Sequence, residues 1–478
     1  MRSDSPANRP CAAARLRWTI YCVLIAAAAG QMAGRILAVN SVDRVELERY
    51  LYRQYQQGRR RADQWQLQRP FLSANDRSRW ATVRSLVEYG TYEIDQVIAQ
   101  RNWDTIDKVR HRNAQGQWRF YSSKPPLLAT LVAGPYWVIH RLTGRTLGEH
   151  PWAIGRGLLL LVNWLPLLGY LALVAALAER LGRSTWSRLV VVASACFATF
   201  LSTFVVALNN HLPAAVSVVA TLWLLYRIWH GQAGPLGFFF AGLLAAFAAA
   251  CDLPALAFFA LATLAALWCN WRRALMAWLP GAAVVAAAFF GTNYLAHQSL
   301  RPPYAHRHGE DNWYDYPGSY WKEENRQGID RGEPSRAVYA LHVLVGHHGV
   351  FSLTPLWLLA VLGMGLGMRR GQRSFLRAVA LGTAVLTVVV LGFYIARPLV
   401  DRNYGGMTSG FRWSFWLTPL WLVCLLPALE VLRRRRWGQA VVWAAVALSA
   451  LSASYPTWNP WVHPWLYDAM VWLGWLSP

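Results

Sequence analysis

Lysine is nearly absent from this chain: only Lys108, Lys124 and Lys322 occur in 478 residues, and arginine supplies the rest of the 47 basic side chains. Acidic residues are also scarce, 24 in all, so the formal net charge is +23. With 15% charged and 55% hydrophobic residues, the composition excludes an ordinary soluble protein. The six cysteines, Cys11, Cys22, Cys196, Cys251, Cys269 and Cys424, have no paired spacing, which argues against both a zinc site and a disulfide framework. There is no glycine-rich phosphate loop after a strand and no dinucleotide fingerprint, so nucleotide energy is not expected to be used by this chain. No cofactor is implied, and a divalent metal stays an open alternative. Repeated halves are lacking too, and the apolar runs hold almost no ionisable residues apart from Arg35 and Asp252. A transporter or flippase, the alternative reading, would need both features.

What is present is a series of eleven apolar runs, at 18–39, 157–178, 189–208, 212–229, 236–250, 254–268, 274–296, 350–368, 375–396, 413–432 and 441–453. The expected fold is therefore an all-α polytopic membrane protein with about eleven transmembrane helices. The runs 236–250 and 254–268, joined by Cys-Asp-Leu-Pro, are expected to form a hairpin of two short helices rather than one kinked helix. Arginine orients them. If Arg433, Arg434, Arg435 and Arg436 lie inside, every other short basic loop and the N-terminus fall inside as well. That parity holds only if the segment after Lys124, which carries Pro125, Pro126 and Pro135, does not cross; it is expected to be juxtamembrane or re-entrant. Topology also accounts for the basic excess, so no nucleic-acid partner is expected.

The organisation that follows is a cytoplasmic N-terminus and first span (1–39), a first outer loop carrying the proposed active site (40–124), the Lys-Pro-Pro segment and a helical bundle (125–296), a second outer loop (297–349), and C-terminal spans with a third outer loop and a Trp-rich outer tail (350–478). Within the first loop, Leu47, Tyr50, Leu51 and Tyr55 share one side of an interfacial helix. A second amphipathic helix is expected after Pro70, capped at Ser73 or Asn75 and stopped at Gly90, with Asp76 in its first turn beside Arg79, Trp80 and Val83. Residues from Lys108 to Tyr121 read as a β-hairpin turning at 113–116 and leading into Ser-Ser-Lys-Pro-Pro. Other carboxylates compete with Asp76 here: Glu93, Asp95, Asp104 and Asp107. His211 reads as a polar helix cap, Asp252 as a turn former, and His306, His308, His347 and His348 as surface residues.

Two of these stretches carry a family likeness. Asp76, Arg79, Trp80 and Ala81, followed by Tyr121, Lys124, Pro125, Pro126 and Leu127, resemble the Asp-Glu-x-Arg-Tyr-Ala and Tyr-x-x-Lys-Pro-Pro-Leu patterns of membrane-integral glycosyltransferases of the C superfamily. The aminoarabinose transferases and protein O-mannosyltransferases are the branches it looks like. The resemblance implies an enzyme of the plasma (inner) membrane with its active site on the outer, periplasmic face. It would transfer a hexosyl or pentosyl group from a polyprenyl-phosphate sugar to a hydroxyl of a lipid, glycan or protein acceptor, with membrane lipids around it. Asp76 would be the catalytic carboxylate and Lys124 a donor phosphate ligand, joined by Arg79 and Arg412 because cations favour a departing phosphate. The family's second carboxylate is Arg77 here, which leaves one base and inversion at the sugar carbon. A non-catalytic membrane scaffold of the same fold is the third reading.

Overall fold

The computed structural model describes residues 9–59, 65–307, 309, 311–369 and 374–476. His308 lies outside the described residues, as does most of the basic loop around Arg370 and Arg373. The chain is an all-α polytopic membrane protein with one two-stranded sheet among the described residues.

Among the described residues, seven helical stretches are long and apolar enough to span a bilayer, and three shorter apolar helices accompany them. The longest, Leu253–His297, is broken at Asn270 into two antiparallel arms, so the apolar helices number eleven. We label the elements in chain order: α1 (Arg9–Leu37), α2 (Val45–Gln56), α3 (Ala74–Glu88), α4 (Asp95–Ile98), β1 (Lys108–Arg112), β2 (Trp118–Ser122), α5 (Pro126–Thr143), α6 (Pro151–Leu159), α7 (Leu165–Leu181), α8 (Thr185–Phe197), α9 (His211–Trp229), α10 (Pro235–Cys251), α11 (Leu256–Arg273) and α12 (Leu279–His297). The remaining helices are α13 (Arg336–Leu344), α14 (Val350–Leu353), α15 (Leu356–Met368), α16 (Phe375–Ile395), α17 (Thr418–Leu432), α18 (Arg436–Ser454) and α19 (Trp465–Trp472).

Hydrogen bonds between distant residues fix which helix ends lie together. At one end Arg17 of α1 meets Glu179 of α7. At the other, Arg156 of α6 donates to Val39 O, just past α1. Everything between Val39 and α6, including α5, therefore leaves and re-enters the bundle at the same end. The Lys-Pro-Pro helix does not cross. It packs along polar α3 instead, where Tyr136 Oη donates to Glu88. The hairpin expected around Cys251 is present: α10 and α11 are separate antiparallel helices joined at Asp252. Close packing of α10 on α12 depends on glycine, since a Cβ at Gly242 would sit 2.1 Å from Trp278 O and one at Gly281 2.1 Å from Phe239 O.

The local signals of the first loop hold. Ser73 Oγ accepts from Asp76 N, capping α3. The hairpin turns where Gly116, at φ +75°, donates its N–H to Asn113 O. Of the four residues expected on the interfacial side of α2, Leu47, Tyr50 and Tyr55 are exposed, as an interfacial helix would leave them, and Leu51 is buried against the rest of the protein. α3 differs from expectation: every residue from Asp76 to Ser85 is buried, so it is not amphipathic. It is enclosed by the hairpin, α5 and the bundle, and most of its polar groups are matched internally, for example Arg77 Nε to Pro70 O and Ser78 Oγ to Ser122 Oγ, while Trp80 Nε1 and Arg84 Nη1 have no partner among the described residues. His347 and His348 also differ, being buried against Tyr404 and the C-terminal Tyr467 rather than lying on the surface.

Candidate functional site

At the end where α3 and the hairpin meet the bundle lies a cavity of about 560 Å³. Its wall brings together Lys124 and Arg79 of the first loop and Arg412, which stands hundreds of positions further along the chain.

Each cation is positioned by its local fold. β2 runs straight into Lys124, whose backbone N–H donates to Ser122 Oγ, and Pro125 and Pro126 start α5 without needing N–H partners. Lys124 Nζ lies 3.2 Å from Asp107 Oδ1. Arg79, one turn into α3, donates through Nη2 to Asn210 Oδ1 at 2.6 Å and through Nη1 to Asn75. Arg412 follows the Gly405–Gly406 turn, donating Nε to Gly405 O and Nη1 to His211 Nε2, each at 2.9 Å. Burial lowers Lys124 to about 8; Asp107 opposes that shift, while the charges of Arg79 and Arg412 add to it. Arg79 is lowered to about 10, by burial and then by Arg412. Arg307 and Arg397, both paired with Asp401, line the same cavity, so five cations share it, and among the described residues Arg79 and Arg412 have no carboxylate partner.

One carboxylate supports both guanidinia indirectly. An arginine can only donate, so His211 Nε2 accepts from Arg412 and its proton sits on Nδ1. That Nδ1–H donates to Asp252 Oδ2 at 2.9 Å. Asp252 Oδ1 accepts from Asn210 Nδ2 at 2.8 Å, the amide whose oxygen receives Arg79. Asp252 therefore holds the partners of Arg79 and Arg412 at once. Asp252 does sit at the turn between α10 and α11, and His211 does begin α9, as the sequence suggested, and both also line the cavity wall.

The expected carboxylates are dispersed. Asp76 is fully buried and does not line the cavity. Its Oδ1 accepts from Leu208 N at 2.8 Å and its Oδ2 from Leu72 N at 3.3 Å, so both oxygens are engaged by backbone. Burial lifts it to about 6 against those two hydrogen bonds. Glu93 pairs with Arg119 and Asn113, Asp95 accepts from Phe120 N, and Asp104 pairs with Lys108; none of them lines the cavity. Asp107 does. It is 7% exposed, its backbone is pinned by Ser78 and Ser123, and its Oδ2 has no protein donor among the described residues. The sequence reading missed Asp330, which also faces the cavity, accepting from Tyr320 Oη and Asn403 Nδ2, with its carboxyl raised by burial. No sequence pattern marks it.

Below the cavity a smaller apolar crevice of about 90 Å³ opens between α11 and α16, lined by residues such as Leu261, Ala265 and Leu386.

No family model and no curated protein matches the chain. Solved structures of the oligosaccharyltransferase of Archaeoglobus fulgidus resemble it in architecture. The apo form is 15% identical over 96% of this chain and 58% of that one, at a TM-score of 0.44. The same enzyme in complex with an inhibitory peptide and a dolichol-phosphate is 13% identical over 96% and 58%, at a TM-score of 0.40. The chain thus spans less than two thirds of the length of the chains it matches.

Proposed function

We propose that the chain transfers a hexosyl or pentosyl group from a polyprenyl-phosphate donor to an acceptor hydroxyl at the outer face of the plasma membrane. The observation that carries this reading is the pair of guanidinia, buried Arg79 and half-buried Arg412, beside Lys124 in one cavity, each guanidinium hydrogen-bonded only to neutral groups among the described residues. A phosphate there gains charge-assisted hydrogen bonds and relieves the mutual repulsion of the cations. The crevice between α11 and α16 supports the lipid half of the donor, since an apolar tail can leave the phosphate and descend along that seam.

The chemistry is a single displacement. The acceptor oxygen attacks the anomeric carbon, the bond from that carbon to the phosphate oxygen breaks, and polyprenyl phosphate departs with the electron pair. Lys124, Arg79 and Arg412 stabilise the charge that grows on the leaving group. The acceptor proton passes to a carboxylate, and we assign that role to Asp107 rather than Asp76, because Asp107 faces the cavity with one oxygen available. With one base and no carboxylate nucleophile, the sugar carbon inverts.

The test is to incubate the purified protein with a panel of polyprenyl-phosphate sugars and membrane extract, following each donor by mass spectrometry. Loss of one donor names the sugar. If every donor survives and polyprenyl phosphate itself does not bind, the proposal is wrong.

A further inference from the structure

A second cavity, of about 520 Å³, adjoins the first and shares Arg307, Tyr314 and Trp321 with it. The dividing wall is built from those three side chains. The Arg307 guanidinium lies over the Tyr314 ring at 5.5 Å and the Trp321 ring at 5.0 Å. Trp321 Nε1 donates to Ile106 O, so the wall is tied to the residue preceding Asp107. A molecule held in the second cavity therefore sits next to the proposed base.

The charges on its inner wall are incompletely matched. Arg326 is 9% exposed and faces this cavity, yet its Nε and Nη1 have no hydrogen-bond partner, and no carboxylate pairs with it among the described residues. Arg307 donates Nη1 to Asp401, a carboxylate it shares with Arg397, and its Nη2 is likewise buried without a partner. Glu323 and Glu324 are exposed on the rim, and Lys322 is already paired with Asp315. Unmade hydrogen bonds on a buried guanidinium are costly, and an anion that completes them is correspondingly favoured.

We infer that the second cavity is the acceptor site, and that the acceptor carries a phosphate or carboxylate close to the hydroxyl that receives the sugar. This rests on the transferase reading. Arg326 and Arg307, both on the wall of this cavity, grip the anion. The hydroxyl reaches past Trp321 toward Asp107, while the donor phosphate occupies the separate cluster of Lys124, Arg79 and Arg412. Two bound anions would then be kept apart by the Arg307–Trp321 wall.

The experiment titrates the purified full chain with polyprenyl phosphate first, which alone reads the donor site, and then adds an anionic probe at saturation. Glycerol 3-phosphate serves as the soluble probe, phosphatidic acid in detergent as the lipid probe, and glycerol as the neutral control. Calorimetry should show the phosphorylated probes binding alongside polyprenyl phosphate and glycerol not binding; whichever probe binds more tightly says whether the acceptor is soluble or lipid-borne. Arg326→Gln should weaken that binding tenfold or more while leaving polyprenyl phosphate binding unchanged, and Arg326→Lys should restore part of it. Lys124→Ala should do the reverse. Equal probe affinity in wild type and a folded Arg326→Gln variant, or displacement of the probe by polyprenyl phosphate, would overturn the inference. Failure of polyprenyl phosphate alone to bind would instead count against the donor site.

Discussion

The two ends of the helical bundle treat arginine differently. At the basic end, Arg17 donates to both oxygens of Glu179 at 2.8 and 3.0 Å, Arg188 reaches the same carboxylate, and Glu430 ties Arg433 to the start of α8. At the cavity end, buried Arg79 and half-buried Arg412 meet only amides, carbonyls and an imidazole. Charge that serves topology and packing is neutralised where it stands. Charge left without a counter-ion in a buried cavity raises the energy of the empty protein, a cost that an incoming anion offsets. The difference therefore marks the cavity end as the place that waits for a ligand, and variants at the two ends should separate cleanly.

The largest effect should come from Asp107→Asn. The amide keeps the shape but cannot take up the acceptor proton, so turnover should fall roughly a hundredfold or more while donor binding persists. Of the four carboxylates that line the cavity, Asp252 is engaged by His211 and Asn210 and Asp401 by Arg307 and Arg397, so a parallel Asp330→Asn variant decides between Asp107 and Asp330; if it alone abolishes turnover, the base is Asp330. Next comes Lys124. Lys124→Ala should weaken donor use by roughly tenfold to a hundredfold, the range for one partner of a charge-assisted contact. The wild type should also show a pH dependence. With the ammonium lowered to about 8, its protonated fraction falls from roughly nine-tenths at pH 7 to roughly one-tenth at pH 9, so the donor KM should rise across that interval. Lys124→Arg, whose charge survives that range, should keep part of the activity and lose the pH dependence. A flat profile in the wild type would show that Lys124 does not meet the phosphate.

Asp252→Asn tests the link between the cavity end and its support. One amide oxygen can accept from Asn210 or from His211 but not both, and the amide nitrogen would face the remaining donor. One guanidinium should lose its alignment, lowering donor kcat/KM about tenfold, mainly through KM. Glu179→Gln at the basic end is the matched comparison and should leave donor kinetics unchanged. If both variants behave alike, the contrast between the ends has no functional meaning.

How far the sequence foretold this depends on the reach of each interaction. Most of the eleven apolar runs, the Ser73 cap, the turn at Gly116 and the break at Pro125 are set by residues within a few positions and appear where composition and turn chemistry put them; the run 189–208 does not, being helical only to Phe197 before an irregular stretch, and the run 350–368 is interrupted between Leu353 and Leu356. Charge parity along the whole chain correctly kept α5 from crossing. Burial of α3 on every side was not legible, because what covers it comes from α5, the hairpin and the segment at Leu208. Asp252 drew notice for its depth, but its partner His211 lies 41 residues earlier, and nothing in the spacing announces the pair. His347 and His348 looked exposed because the aromatic residues that cover them, Tyr404 and Tyr467, arrive from later segments.

The smallest effect on chemistry should come from Asp76→Asn, and here the structure changes what the substitution means. From sequence the asparagine looks like a silent replacement that separates capping from catalysis. In the fold, Asp76 must accept from two backbone donors, Leu208 N and Leu72 N. Asparagine has one acceptor oxygen, so one N–H would be left facing the amide nitrogen, a loss on the order of 1–3 kcal/mol. Thermal denaturation in detergent should therefore show a clear loss of stability. Turnover per folded molecule should change less than about threefold, under 1 kcal/mol of barrier. The wall beyond Leu208 has its own supports: Asn209 Nδ2 donates to Phe204 O and Ala207 O, its Oδ1 receives His211 N, and Asp252 holds Asn210 and His211. The opposite pattern, full stability with turnover lost a hundredfold, would mean that the wall in front of Asp76 opens when donor binds and that the base is Asp76 after all.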